Sequence, residues 1–320
     1  MNSQPKISVL IPCYNSQEWV GEAIKSCLAQ EYENKEIIVI DDGSTDHSTQ
    51  VLESFGDRIQ WESIPNQGAC AARNRAFSKS KGDLIQFLDA DDVLLPGKFL
   101  EQTRALSRED VDIVFCHGKL FGDGKGLRPI KQRAAEFNDD DVFVYTLKNN
   151  WKTAAPLIPR EYVENAGGFR VGLIRGQERD LFIRIAALSP KVLLEEKLLF
   201  AVRNHDSPQR LTNLKVDSEF NVNWYLNLVE SLKEPQYKMN QSRWDALAGD
   251  VFQAGIYAYR NGFRDSARQA FDAAKALSHS FTYHERAWYK WLANRCGPMN
   301  AERFLQSARD IRSWVSFEVQ

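Results

Sequence analysis

The 320-residue chain has few cysteines, no long apolar run and no excess of either charge. Its five cysteines (Cys13, Cys27, Cys70, Cys116 and Cys296) are odd in number, scattered and never spaced Cys-x-x-Cys. That pattern fits neither a disulfide framework nor a thiolate zinc site, and it suits a reducing cytosol. Lysine and arginine number 41 against 43 aspartates and glutamates, a formal net charge of −2, so no global polycation is present to bind nucleic acid. No run approaches the roughly 18 apolar residues of a membrane span. The amino terminus has Lys6 but no apolar core of a signal sequence, and 7–11 is too short to be one. The expectation is a cytoplasmic globular protein without a transmembrane segment. Glycine-rich phosphate cradles are missing as well. No Gly-x-Gly-x-x-Gly follows the first apolar run, and Gly-x-x-x-x-Gly-Lys-Ser/Thr occurs nowhere.

What is present can fill a core. A hydrophobic fraction of 43% with 11% aromatics rules out a disordered chain. Up to about Asn204, short β-branched runs alternate with helical periodicity. Residues 7–11 (ISVLI) and 36–40 (EIIVI) are nearly unbroken apolar runs of strand length, as expected for strands covered on both faces. Between them Val20, Ala23, Ile24, Cys27 and Leu28 mark one buried helix face, with Ser16 as its expected N-cap. Further cycles follow: helix over 51–55, strand over 59–64, helix over 69–77 and strand over 84–88. The alternation predicts right-handed βαβ crossovers and a mostly parallel sheet, with ligands bound beyond the carboxyl ends of the strands. After about Thr212 the strand pattern stops, and 216–233, 244–260, 264–277, 283–295 and 301–314 all read as helices. The expected organisation is an α/β domain over 1–212 and an all-α region over 213–320. In the latter, Ala258 to Phe263 followed by Ala267, Ala270, Phe271 and Ala274 resembles one tetratricopeptide-type helix pair.

The chemistry gathers at the predicted strand ends. The first strand runs into Pro12-Cys13-Tyr14-Asn15, the second into Asp41-Asp42-Gly43-Ser44-Thr45-Asp46, and the fourth into Asp89-Ala90-Asp91-Asp92. Carboxylates in place of glycines would repel a bare diphosphate, and they could hold one only through a hard divalent cation, Mg²⁺ or Mn²⁺. Asp89 and Asp91 are two apart, so in extended backbone they would point the same way, one toward the metal and one toward a ligand hydroxyl. Taken singly, each cluster is equally a solvated turn or a helix cap, Ser44 or Thr45 for the second. The ordered set at successive strand ends is what favours a site.

That ordered set resembles glycosyltransferase family 2, the inverting enzymes of GT-A fold that use nucleotide-sugar donors. The matching stretches are SVLIPCYNSQEWVGEAIKSCLAQEYENKEIIVIDDGSTDHS, NQGACAARNRAFSKSKGDLIQFLDADDVLLPGKF and GGFRVGLIRGQERDLFIRIA, covering most of 6–205. The resemblance implies that Pro12, Tyr14 and Asp41 contact the nucleotide base, Tyr14 by stacking and Asp41 by accepting from an imide N–H. It makes Arg73 a nucleotide-contacting arginine, where the plain alternative is a surface ion pair. Asp89 would bind the ribose or the metal, and Asp91 would ligate the metal. The family usually shows Glu-Asp before a hydrophobic stretch and an arginine; here Gln177-Glu178-Arg179-Asp180 stands in that register, so the catalytic base is Glu178, one methylene longer than usual. Asp180 and Arg184 are spaced to pair on one helix. His205 follows Val202-Arg203-Asn204 roughly where relatives carry an Arg-x-His. It is either a metal ligand or a surface-loop histidine, because the preceding aromatic is missing here. Trp151 is an acceptor-stacking ring or, more commonly for such a residue, core.

The resulting expectation is a metal-dependent, inverting transferase. It moves a sugar from a UDP-sugar to a hydroxyl of a glycan or lipid-linked acceptor in surface polysaccharide or glycoconjugate synthesis, with peripheral attachment at the inner membrane face left open. The competing class is an inactive scaffold of the same fold that recruits partners through its helical tail, where Trp288 and Trp291 form an aromatic stretch.

Overall fold

Two β-branched runs start the fold. Ile7–Cys13 (β1) and Lys35–Asp41 (β2) pair in parallel, from Ile7 opposite Lys35 to Cys13 opposite Asp41. Both strands are buried along nearly their whole length, which is why they read as continuous apolar runs rather than as alternations. The computed structural model describes residues 4–108, 110–122, 124, 126, 128–130, 141–205, 216–280 and 287–306.

Between the first strands lies α1 (Val20–Leu28), with Val20, Ala23, Ile24 and Cys27 buried as the spacing predicts. Ser16 does not cap it. Its hydroxyl donates to the Tyr14 carbonyl at 3.0 Å, its own carbonyl takes the N–H groups of Trp19 and Val20, and Trp19 is the residue that precedes the helix. The chain continues through α2 (Ser48–Glu53), β3 (Gln60–Ser63), α3 (Ala69–Lys79), β4 (Leu84–Phe87) and β5 (Val93–Leu94). Next come α4 (Lys98–Arg108), β6 (Ile113–Phe121), β7 (Arg128–Ile130), α5 (Val142–Lys148), β8 (Ile158–Pro159), α6 (Arg160–Asn165), α7 (Gln177–Ala187) and β9 (Val192–Arg203). The main sheet has the order β3-β2-β1-β4-β8; its first four strands are parallel and β8 runs antiparallel to β4. The expected α/β class with a mostly parallel sheet is what forms.

A second sheet, β5-β9-β6-β7, has no counterpart in the sequence reading. Its long pair β6 and β9 runs parallel from Ile113 opposite Val192 to Phe121 opposite Arg203, with register shifts around His117. Gly118 permits this packing, because a Cβ there would lie 2.3 Å from the Phe200 ring. Trp151 is core: it is 2% exposed and wedged between Phe115 and Phe182, with ring centroids at 3.8 and 5.5 Å.

The chain divides into two compact units, Met1–Asn213 and Leu214–Gln320. The second is helical where it is described: α8 (Ser218–Ser231), α9 (Gln241–Arg260), α10 (Arg264–Leu277) and α11 (Ala287–Cys296). Asp217 and Asn240 cap α8 and α9 through side-chain oxygens. α9 and α10 form a helical hairpin across Gly262, whose φ is +90°. Gly255 lets the pair close, since a Cβ there would meet the Phe271 ring at 2.8 Å. The helices expected over 283–295 and 301–314 fall partly, and the side chains of Trp288 and Trp291 fully, outside the described residues.

Candidate active site

The carboxyl ends of β1 and β2 are locked to each other before any ligand is considered. Asn15 takes a left-handed backbone (φ +46°), which asparagine tolerates. Its N–H donates to the Ser44 hydroxyl at 2.9 Å, and its side-chain oxygen accepts from the Thr45 N–H at 2.8 Å. Gly43 has φ +74°, and a Cβ there would strike the Asn66 backbone nitrogen at 2.9 Å. Asp42 accepts from the N–H groups of Gln67 and Gly68, both at 2.8 Å, and so fixes the turn that opens α3. Asp46 accepts from Gln17 and Ser48, which pulls its carboxyl below the ordinary range although burial pushes the other way. Asp42 and Asp46 are therefore scaffold.

Asp41 is different. It is fully buried at the end of β2; one carboxylate oxygen accepts from the Ser63 hydroxyl at 2.7 Å, and the other, Oδ1, has no hydrogen-bond partner. Tyr14 is 44% exposed on the loop above, and Pro12 is half-buried one residue before the end of β1.

Asp89 and Asp91 do not lie on extended backbone. The Asp92 N–H donates to the Asp89 carbonyl at 3.1 Å, closing a turn that sends the two side chains to different partners. Asp89 accepts from Arg73 Nη2 at 2.7 Å, while Asp91 Oδ2 lies 2.9 Å from His205 Nε2. Arg73 is no surface ion pair. It is 5% exposed on α3, its Nη1 donates to Gln177 Oε1 at 2.7 Å, and its guanidinium sits 5.0 Å over the Phe169 ring. Burial alone would lower its pKa; the charges of Asp89 and Glu178 outweigh burial and raise it.

His205 lies just past β9 and is brought to the Asp89–Asp92 turn by that strand. Arg203, the last residue of β9, donates its N–H to Asp92 at 2.9 Å and its Nε to the Asp91 carbonyl at 3.0 Å, and its Nη2 pairs with Glu22 on α1. The ring of Trp19 stands 4.2 Å from the His205 ring, tilted by 33°. An aromatic ring from another element thus lies beside His205.

Glu178 occupies the first turn of α7, behind Gly176 in the left-handed region (φ +70°). A Cβ at Gly176 would meet nothing within 4 Å, so conformation rather than close approach is what requires glycine there. Glu178 is half-buried, and among the described residues its carboxylate makes no hydrogen bond or ion pair. Asp180 is the opposite case: fully buried, it accepts from Arg184 Nε at 2.9 Å and Nη2 at 2.5 Å, with Arg170 Nη2 at 3.4 Å from its other oxygen. Arg184 in turn donates to the carbonyls of Ala166 and Gly168. The segment leading to Glu178 is pinned at Phe169, whose N–H and carbonyl both bond to the Asn74 amide at 2.8 and 2.7 Å.

Gln177 was not singled out by sequence, yet it ties α7 to Arg73 and to the Leu173 carbonyl. Its position one residue before the expected base was the available signal. Asp91 and His205 together suit a divalent cation that takes its remaining ligands from a diphosphate. Their 2.9 Å contact is a hydrogen bond between the two side chains, and it is also close to the roughly 3.0 Å edge of an octahedron with bonds of about 2.1 Å. Among the described residues no group of three or more His, Cys, Asp or Glu side chains is placed to hold a metal ion.

Comparisons with known proteins bear on the family and the fold. The model of the family described as glycosyl transferase family 2 matches residues 8–174, ending before Glu178 and His205. An uncharacterized glycosyltransferase of Rickettsia felis is 32% identical over 245 residues, 74% of this chain and 40% of the relative. One of Rickettsia typhi is 29% identical over 273 residues, 83% and 84% of the two chains. The chain spans about 40% of the length of the first of these relatives. Among solved structures, residues 1–349 of S. aureus TarS in complex with UDP-GlcNAc superpose with a TM-score of 0.70 at 15% identity, covering 95% of this chain and 91% of that one. No helix of the described residues is long and apolar enough to cross a membrane.

Proposed function

Because the chain belongs to glycosyl transferase family 2, we propose that it transfers a sugar from a UDP-sugar to an acceptor hydroxyl with inversion at the anomeric carbon, in the presence of Mn²⁺ or Mg²⁺. One observation carries this reading. Arg73 holds Asp89 and Gln177 at 2.7 Å each, so the strand-end carboxylates and the helix that presents Glu178 belong to a single site.

Each residue then has a task its environment suits. The exposed Tyr14 ring stacks on the base, with Pro12 beneath the loop, and the unpartnered Oδ1 of Asp41 accepts the imide N–H that distinguishes uracil from cytosine. Asp89, fixed by Arg73, accepts from ribose hydroxyls. Asp91 and His205 would hold the divalent cation, which when bound supplies positive charge opposite the departing diphosphate. Glu178 takes the acceptor proton as the acceptor oxygen attacks the anomeric carbon from the face opposite the leaving group. A carboxylate unengaged by the protein can accept that proton; Asp180, engaged by two arginines, cannot do so without giving up an ion pair. The fold shared with a protein solved with UDP-GlcNAc and UDP supports a uridine donor. Val171 and Ile174, 61% and 52% exposed just before Glu178, favour an acceptor with an apolar part, such as a lipid-linked glycoconjugate.

A thermal-shift panel of nucleotide sugars with and without Mn²⁺, followed by measurement of nucleoside diphosphate release, tests the proposal. A shift specific to one UDP-sugar and dependent on Mn²⁺ is expected. No shift with any donor would select the scaffold reading, which the separate helical unit favours.

A further inference from the structure

Around the Asp91–His205 pair the described contacts include some from an element far away in sequence. The most direct is the Trp19 ring, 4.2 Å away, on the residue that opens α1. The same helix carries Glu22, which pairs with Arg203, and Arg203 holds the Asp91–Asp92 turn by two further bonds, from its N–H to the Asp92 carboxylate and from its Nε to the Asp91 carbonyl. The start of α1 therefore meets His205 directly through a ring and reaches the Asp91–Asp92 turn indirectly, through the Glu22–Arg203 ion pair.

We propose that Trp19 is a positioning residue for the cation site: its indole sets the plane of the His205 imidazole, so that Nε2 and Asp91 Oδ2 stand at the spacing of adjacent ligands before any ion arrives. An imidazole ligand has to present its nitrogen lone pair along one direction, in the ring plane. A ring free to turn about its side-chain torsions has to be ordered when the ion binds, and the affinity falls accordingly. A flat aromatic neighbour at stacking distance removes that freedom, whereas an aliphatic residue of similar bulk fills the space without fixing the tilt. The proposal rests on the reading of Asp91 and His205 as cation ligands, and it adds a residue whose part in the site only the folded geometry reveals.

Titration calorimetry with Mn²⁺ on the full chain saturated with UDP tests it, with wild type beside His205→Ala, Trp19→Phe and Trp19→Leu. Melting curves and UDP affinity in the absence of metal serve as controls. Wild type should bind one ion and His205→Ala should lose most of that affinity. Trp19→Leu should bind about 10–100-fold more weakly, the scale of losses when an outer partner of a metal ligand is removed, and Trp19→Phe should stay within about threefold of wild type. Paramagnetic Mn²⁺ should also quench a part of the tryptophan emission that Trp19→Phe lacks. Equal Mn²⁺ affinity in the Leu and Phe variants would overturn the role of the ring while leaving the cation site standing. Absence of Mn²⁺ binding in wild type, or unchanged binding in His205→Ala, would overturn the ligand assignment and Trp19's role with it. Were Trp19→Leu to lose its folded melting transition, Trp19→Met would replace it as the non-aromatic filler, judged by the same comparison with Phe.

Discussion

Replacing Glu178 by Gln and Asp180 by Asn should separate chemistry from architecture within one helical turn. Glu178 makes no hydrogen bond or ion pair among the described residues, and it sits in the first turn of α7, where a negative charge is favoured by the helix dipole. Neutralising it removes at most about 0.3–1 kcal/mol of stability. Asp180 is fully buried against Arg184, which is itself 4% exposed, and Arg170. Asn in its place leaves a buried guanidinium without its carboxylate, a loss of about 3–5 kcal/mol. For a unit the size of Met1–Asn213, each kcal/mol moves the melting temperature by roughly 2–4 °C, so Asp180→Asn should melt on the order of 10 °C lower and Glu178→Gln within about 4 °C of wild type. Activity should order the other way. With the donor identified by thermal shift, Glu178→Gln should keep UDP affinity while turnover falls about 10²–10⁴-fold, or roughly 3–5 kcal/mol in the barrier. Asp180→Asn, assayed below its melting range, should retain most of its turnover. Calorimetry, UDP titration and nucleoside diphosphate release measure the three quantities. A Glu178→Gln enzyme with wild-type turnover, beside an inactive and normally stable Asp180→Asn enzyme, would refute the assignment of the base.

Asp91→Asn should abolish the Mn²⁺-dependent part of UDP affinity and leave the metal-free part intact; unchanged metal dependence would remove Asp91 from the cation site. Native-state thiol titration at pH 8 should find one fast-reacting cysteine, Cys296, and four more after denaturation, since burial pushes Cys13 and Cys27 up to about 12, Cys70 up to about 11 and Cys116 up as well; fast modification of Cys13 would mean that the β1 end opens readily. Glu36 is buried, which pushes its carboxyl up, but bonds from Lys6, Ser8 and the Lys81 N–H outweigh burial and hold it below its ordinary value. Its stabilising contribution is therefore complete above the unfolded-state value of about 4.3 and is lost as pH falls through the lower folded value. Glu36→Gln should cost about 1.5–3 kcal/mol at pH 7 by urea unfolding, and the gap to wild type should close on acidification; a gap that does not depend on pH would assign the effect to packing.

In the main sheet β1, β2 and β4 were legible because they are buried along nearly their whole length, and α1 keeps a regular buried stripe, so both periods stand out along the chain. The second sheet was not. β5 and β7 are two and three residues long, and β9 mixes exposed Glu196, Lys197 and Leu198 with buried Leu199 and Phe200, which blurs any alternation. The acidic strand ends announced a site because carboxylates clustered where turns ordinarily suffice. What they did not announce was the division of labour: Asp42 and Asp46 hold turns, Asp180 holds an arginine, and only burial and partners in the folded chain separate them from Asp41 and Glu178. The partners of Gln177 and Trp19 could not be read from sequence, because they lie 104 and 186 positions away along the chain, a separation that no local pattern spans.

The pairing of β9 between β5 and β6 bears on the order in which the protein becomes competent during synthesis. Val93 meets Ala201 and Ile113 meets Val192, contacts that close loops of about a hundred and about eighty residues. Such distant pairings form late and slowly, after local βα units have collapsed. Tyr14, Asp41, Arg73, Asp89 and Asp91 all leave the ribosome well before His205 does, so a nascent chain holds the strand-end residues of the candidate site while still lacking the imidazole beside Asp91. The strand that carries His205 cannot dock before residue 203 has been made, so the order of synthesis itself delays the pairing of His205 with Asp91.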